Sequence, residues 1–194
     1  IENGEKVTEV GLKAFGKAMQ ENQHMKTISI KIGKANDESI SPLFHSIARP
    51  ESKLRMLTVH TISEEASERY GDVASVVLAN AITHTKELLV LNLEHSNIGN
   101  LGGTALFQAL KNNTSINHVN IYNSSIGDAA SHAVGECLKT NKKLLDLMLD
   151  HNKIGDKGAK FIGEGLALNQ HLRTLSIVNT PISDYGALNI INGM

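Results

Sequence analysis

The stretch Leu144–His171, LLDLMLDHNKIGDKGAKFIGEGLALNQH, changes its apolar period partway along. Leu147 and Leu149 alternate with Asp146, Met148 and Asp150, the period of two that a half-buried strand requires. Ile162 and Leu166 then stand four apart, as they would on one face of a helix. Between the two, Ile154, Gly155 and Asp156 supply an apolar anchor, a permissive glycine and an aspartate able to cap a helix N-terminus. The unit therefore reads strand, loop, helix.

The same unit recurs in LLVLNLEHSNIGNLGGTALFQALKNN from Leu88, INHVNIYNSSIGDAASHAVGECLKTN from Ile116 and LRTLSIVNTPISDYGALNII from Leu172, at a constant spacing of 28. A fixed period of this size marks an array of small units that bury their apolar faces by stacking. Gly102, Ala130, Gly158 and Gly186 hold one small place, read as close approach of helix to strand. Helices are expected to stop near Asn113, Asn141 and Asn169, because asparagine tolerates the left-handed backbone common at helix ends. Two earlier motifs, MKTISI and LRMLTV, continue the series at spacings of 29 and 34, so the unit from Leu54 carries about six extra residues around SEEASERYGD. A slightly longer, solvated helix is the favoured reading of that insertion. Strands are thus expected near 25–30, 54–59, 88–93, 116–121, 144–149 and 172–177. The segment 7–22 aligns with 154–169 as a helix, which places Ile1 in a strand. Residues 1–194 are read as a single domain, begun in mid-repeat and so a fragment of a longer array, with uncapped ends prone to self-association.

The pattern LxxLxLxxNxI followed by a helix at this period resembles the leucine-rich repeats of the ribonuclease-inhibitor-like subfamily, over nearly the whole chain. Ser96, Ser124, Asn152 and Thr180 occupy the place usually held by asparagine, and each is able to hydrogen-bond loop backbone. The resemblance implies an α/β leucine-rich-repeat solenoid, a horseshoe with a parallel concave sheet and outer helices. It also implies a binding scaffold, since members serve as inhibitors, sensor domains, GTPase activators and actin-capping proteins; a cytoplasmic location is expected from the cysteine count. The stretches ENQHMKTISI and NDESISPLF are in addition similar to tropomodulin.

Composition narrows the function. Nineteen basic and 20 acidic residues leave a net charge of -1, which disfavours nucleic acid and anionic membrane as partners. A single cysteine, Cys137, removes disulfide frameworks and cysteine-pair zinc sites and points to a reducing compartment. No apolar run approaches the roughly 20 residues of a membrane helix. Hydrolase elbows, phosphate loops and zinc-protease motifs are missing from the sequence, so no catalytic residue and no cofactor is assigned. His95 and His151 hold one place two repeats apart, roughly 10 Å at the strand spacing, too far for one metal ion, and read as solvated rim residues.

The outward columns of the sheet remain. One holds Lys31, His60, Glu94, Tyr122, Asp150 and Val178, and its middle suggests a binding patch. There Tyr122 is expected between Glu94 and Asp150, with His118, Asp146 and Met148 close by. An aromatic anchor in an acidic rim suits a basic segment of a partner protein. The insertion at 64–72 is the second candidate surface. A GTPase-activating role would need one of Arg49, Arg55, Arg69 or Arg173 as an arginine finger. A third reading has the repeats regulating or spacing other domains.

Overall fold

The computed structural model describes residues 9–22, 24–49, 51–65 and 69–194. After helix α1 (Glu9–Glu21), strands and helices alternate: β1 (Thr27–Ile32), α2 (Asp37–Ser46), β2 (Met56–Thr61), α3 (Asp72–Ile82), β3 (Val90–Glu94) and α4 (Asn100–Asn112). They continue with β4 (His118–Asn120), α5 (Asp128–Thr140), β5 (Asp146–Met148), α6 (Asp156–Leu166), β6 (Thr174–Ser176) and α7 (Asp184–Ile191). The six strands form one open parallel sheet in chain order, and consecutive helices pack on one another beside it. The fold is the expected solenoid. The alignment of residues 154–169 with α1 is met, whereas Ile1 lies outside the described residues.

The core follows from the period. Leu57, Leu91, Val119 and Leu147 stand in register across the sheet, and Leu78, Leu106, Val134 and Ile162 repeat along the facing helices, all fully buried. Each such side chain contributes about 1.5–3 kcal/mol on burial. No unit can bury both its faces alone, so stacking is obligatory.

Strands begin two residues later than the sequence suggested. The leading residues of four motifs, Leu54, Leu88, Ile116 and Leu144, are buried from the segment before the strand rather than from a ladder position. At the strand start two successive N–H groups share one carbonyl of the preceding repeat: Leu89 and Val90 on Arg55, Asn117 and His118 on Leu89, Leu145 and Asp146 on Asn117.

Two other expectations are corrected. The helix ends at Asn113 and Asn141 are extended, at φ -72° and -71°, and not left-handed. There the side chain does the work: the Asn141 amide oxygen accepts from Lys143 and Leu144 N–H, and its amide nitrogen donates to the Leu110 carbonyl one repeat back. Left-handed backbone occurs instead just after the strands, at His95, Asn123, His151 and Asn179, with φ between 51° and 55°. Asparagine and histidine tolerate that conformation. In the first two units the equivalent places hold Ile32 and Thr61, whose branched side chains do not, and there the strands run on to six residues.

The aspartates expected to cap helices do so one repeat further along. Asp128, in the first turn of α5, accepts from the N–H groups of Gly155 (2.8 Å) and Gly158 (2.9 Å) at the start of α6. Asp72 does the same for Gly99 and Gly102, and Asn100 for Gly127 and Ala130. Asp37 accepts from Gly71 and Val73, and Asp156 from Ser183. The N-cap residues of α4, α5 and α6 are glycines without a capping side chain, so each helix start is satisfied by its predecessor. This also changes the reason for the small residue in each unit. A Cβ on Gly158 would stand 2.6 Å from the Asp128 carboxylate, so the neighbour that needs the space is the capping aspartate, not a strand.

Among the described residues, the insertion of the unit from Leu54 forms a loop between β2 and α3 rather than a longer helix: residues 63–65 and 69–71 are non-helical and α3 begins at Asp72. Tyr70 anchors this loop, fully buried and edge-on to Phe44 at 5.6 Å. Its hydroxyl lacks a partner of good geometry among the described residues, although the Ser96 hydroxyl, paired with Ser124 at 2.7 Å, lies near it.

Replacing Asp128 by Ala should lower stability by about 1–3 kcal/mol in chemical denaturation, since two N–H groups lose a charged acceptor. Asp128→Asn should retain most of it, because Asn100 already serves in that way. Tyr70→Phe removes an unpaired buried hydroxyl and should match or slightly exceed the wild type, within about 1 kcal/mol.

Candidate functional site

The outward face of β3, β4 and β5 carries the sequence-predicted residues. Val90, His118, Asp146 and Thr174 stand opposite one another across the strands, as do Asn92, Asn120, Met148 and Ser176. Tyr122 and Asp150 lie just past the strand ends. The rungs continue there, with the His95, Asn123 and His151 N–H groups donating to the Tyr122, Asp150 and Val178 carbonyls. All six predicted residues are half-buried and share this face.

Their contacts differ from an acidic rim around a lone tyrosine. Glu94 accepts from His60 Nδ1 on one carboxylate oxygen (3.0 Å) and from the Asn120 amide on the other (2.9 Å). Asp150 accepts from the Ser176 hydroxyl and the Val178 N–H. His118 Nδ1 stands 3.8 Å from Asp146. The two carboxylates of the Tyr122 column are thus held in place by neighbours, which fixes their positions and leaves their charge on the surface.

Tyr122 itself belongs to a row of rings. His60, His95, Tyr122 and His151 succeed one another across four repeats, with centroid separations of 4.7, 5.2 and 4.8 Å and tilts of 54° to 59°. Tilted pairs at these separations are favourable for aromatic side chains. His95, half-buried, and His151, still exposed at the rim as expected, therefore pack against Tyr122. The left-handed turn accompanies the row: His95 and His151, just past the strands, lie beside strand-end residues of neighbouring repeats, His95 between His60 and Tyr122 and His151 beside Tyr122. Asn123 and Asn179 occupy the same left-handed place and donate to His95 Nδ1 (2.8 Å) and His151 Nε2 (2.9 Å). Sequence reading missed His60, His95 and His151 as members of the site. The recurrence of His or Asn just past each strand was the available signal.

Cys137 is fully buried, and burial pushes its thiol up to about 12. Among the described residues, no three His, Cys, Asp or Glu side chains converge to hold a metal ion. No helix among them is long and apolar enough to cross a membrane.

The family model described as "Leucine Rich repeat" matches residues 87–107, 140–163 and 168–190. The chain carries leucine-rich repeats. Among solved structures it is similar to the actin-binding site 2 of leiomodin-1, at 14% identity over 92% of this chain and 84% of that one, with a TM-score of 0.59. It is also similar to an internalin from Listeria monocytogenes, at 19% identity and a TM-score of 0.52 over 90% of this chain, which spans 48% of that one. Both likenesses are of fold. A search of curated proteins returns no significant match. In this leucine-rich-repeat fold the ring row runs along the sheet, crossing from one repeat to the next.

At the left-handed places, His151→Asn should leave stability within about 0.5 kcal/mol, as in the neighbouring repeats. His151→Val should cost about 1–3 kcal/mol in denaturant titration, because a branched side chain is strained there.

Proposed function

We propose that this leucine-rich-repeat domain is a protein-interaction module without catalysis of its own, and that it binds a basic segment of a partner through the concave face. One observation carries this reading: a half-buried cluster of Glu94, His118, Tyr122, Asp146, Met148 and Asp150, joined by the ring row, spans several repeats on the sheet's outward side. Aromatic and apolar anchors beside fixed carboxylates are the chemistry of a hot spot for cationic side chains. The constant 28-residue period supports placing the repeats in the ribonuclease-inhibitor-like subfamily. A single buried thiol fits a reducing, cytoplasmic setting.

Actin is the first partner to test. The support is the likeness to a leiomodin-1 actin-binding site, together with the two tropomodulin-like stretches near β1 and α2. A GTPase-activating role has less support. Arg49 caps the end of α1 through the Met19, Gln20 and Asn22 carbonyls, Arg69 holds the Ser63 and Glu64 carbonyls, and Arg55 pairs with Glu87.

The test uses Tyr122→Ala combined with Asp146→Lys and Met148→Ala, which spares the carboxylates that hold the loops together. Affinity capture from source-organism lysate and filamentous-actin co-sedimentation are run on both chains, with circular dichroism to confirm folding. Retention of a protein by the wild type, weakened at least about tenfold in the folded variant, is expected. Equal retention by both would refute the concave-face assignment.

A further inference from the structure

We propose that the ring row makes this binding proton-dependent: the concave face holds a basic partner while its histidines are neutral and releases it when they charge. The proposal rests on the concave-face reading above and adds its regulation.

The hydrogen bonds fix the resting state. A ring nitrogen that accepts from an amide carries no proton, so the Asn123 amide leaves His95 neutral with its proton on Nε2, and the Asn179 amide leaves His151 neutral with its proton on Nδ1. Protonating either ring turns that acceptor into a donor facing a donor. The His60 and His95 ring centroids stand 4.7 Å apart, and His95 and His151 flank Tyr122 on opposite sides.

The charged groups around the row come from every neighbouring strand. Lys31 lies opposite His60 on β1, Arg69 acts on His95 from the insertion, Glu94 bonds His60, and His118 faces Asp146. Asp150 accepts from Ser176, and beyond it the column ends in the uncharged Val178. At neutral pH the three carboxylates outweigh Lys31 and Arg69. Protonation of His60, His95, His118 and His151 reverses the sign of the face, which turns attraction for a basic segment into repulsion.

Burial first, and then Arg69 and the charge His60 carries once protonated, lower the pKa of His95, against the opposing pull of Glu94. A base whose proton affinity falls on folding binds fewer protons in the folded state. Acidification below the ordinary histidine value of about 6.5 therefore works against the stacked row as well as against the partner.

The experiment follows the histidine and tyrosine ring resonances of the whole chain by NMR from pH 8 to 5, alone and with an oligo-arginine peptide as the basic probe. A second chain carries His95→Asn and His151→Asn, the residue that the alternate repeats already place in that turn. Expected are a His95 midpoint below about 6.5, Tyr122 ring signals that move with it, and peptide-induced shifts on the concave face at pH 7.5. Peptide affinity should weaken at least about tenfold by pH 5.5 in the wild type and less than about threefold in the variant. The same pH response in both chains, or Tyr122 signals indifferent to His95, overturns the proton dependence alone. Absence of peptide shifts at every pH with a coupled ring titration overturns the concave-face reading, and with it the gating of this partner class.

Discussion

Everything in this array depends on how one repeat satisfies the helix start of the next. A helix leaves its first N–H groups without partners, and the usual remedy is a side chain at its own N-cap. Here α4, α5 and α6 have glycine in that place, and the acceptor is the Asp or Asn in the first turn of the preceding helix. At Gly102 and Gly158 an added Cβ would stand 2.8 and 2.6 Å from the acceptor oxygen, and at Gly186 closer still, so the third helical residue there stays small. A single contact thereby sets the helix start, the small residue beside it and the spacing between neighbours. None of α4, α5 and α6 is complete without its predecessor, which makes the stack cooperative in the nearest-neighbour sense.

A second row of asparagines closes the other end of each helix. Asn113, Asn141 and Asn169 hold the bend into the next strand with the amide oxygen and reach a carbonyl of the previous repeat with the amide nitrogen. With both helix ends tied across repeats, the loop from strand to helix is free to change length. The insertion before α3 uses that freedom: Asp37 still caps Gly71 across 34 residues instead of 27. Tyr70 closes the extra loop onto the core.

The concave face inherits its geometry from these ties. Because the backbone of each repeat is fixed at both ends, the left-handed residues past β3, β4 and β5 recur at the same height and bring His95 and His151 onto either side of Tyr122. Glu94 and Asp150 are held by side chains and backbone of the adjoining repeats, so the charge pattern is as rigid as the scaffold. In the proposed binding role, such a surface would present its aromatic and acidic groups with little ordering left to do.

The sequence by itself determined the architecture. Apolar period and a constant repeat length are local and translational properties, and they suffice to fix strand, loop, helix, the parallel sheet, the buried columns and the outward face that holds Tyr122, Asp146 and Met148. Ser96, Asn152 and Thr180 likewise bond backbone carbonyls as their chemistry suggested, whereas Ser124 pairs with the Ser96 hydroxyl. Only the tertiary structure decided which neighbour each polar side chain serves. Asp128 could cap its own helix or the next, and the glycine N-cap with the 2.8 Å contact to Gly155 settles it through a distance that no single repeat contains. The same holds for His60, His95 and His151, whose grouping with Tyr122 joins rings of successive repeats. Pattern records what recurs along the chain, whereas the capping and the ring row arise between repeats, where direction and reach are set by packing.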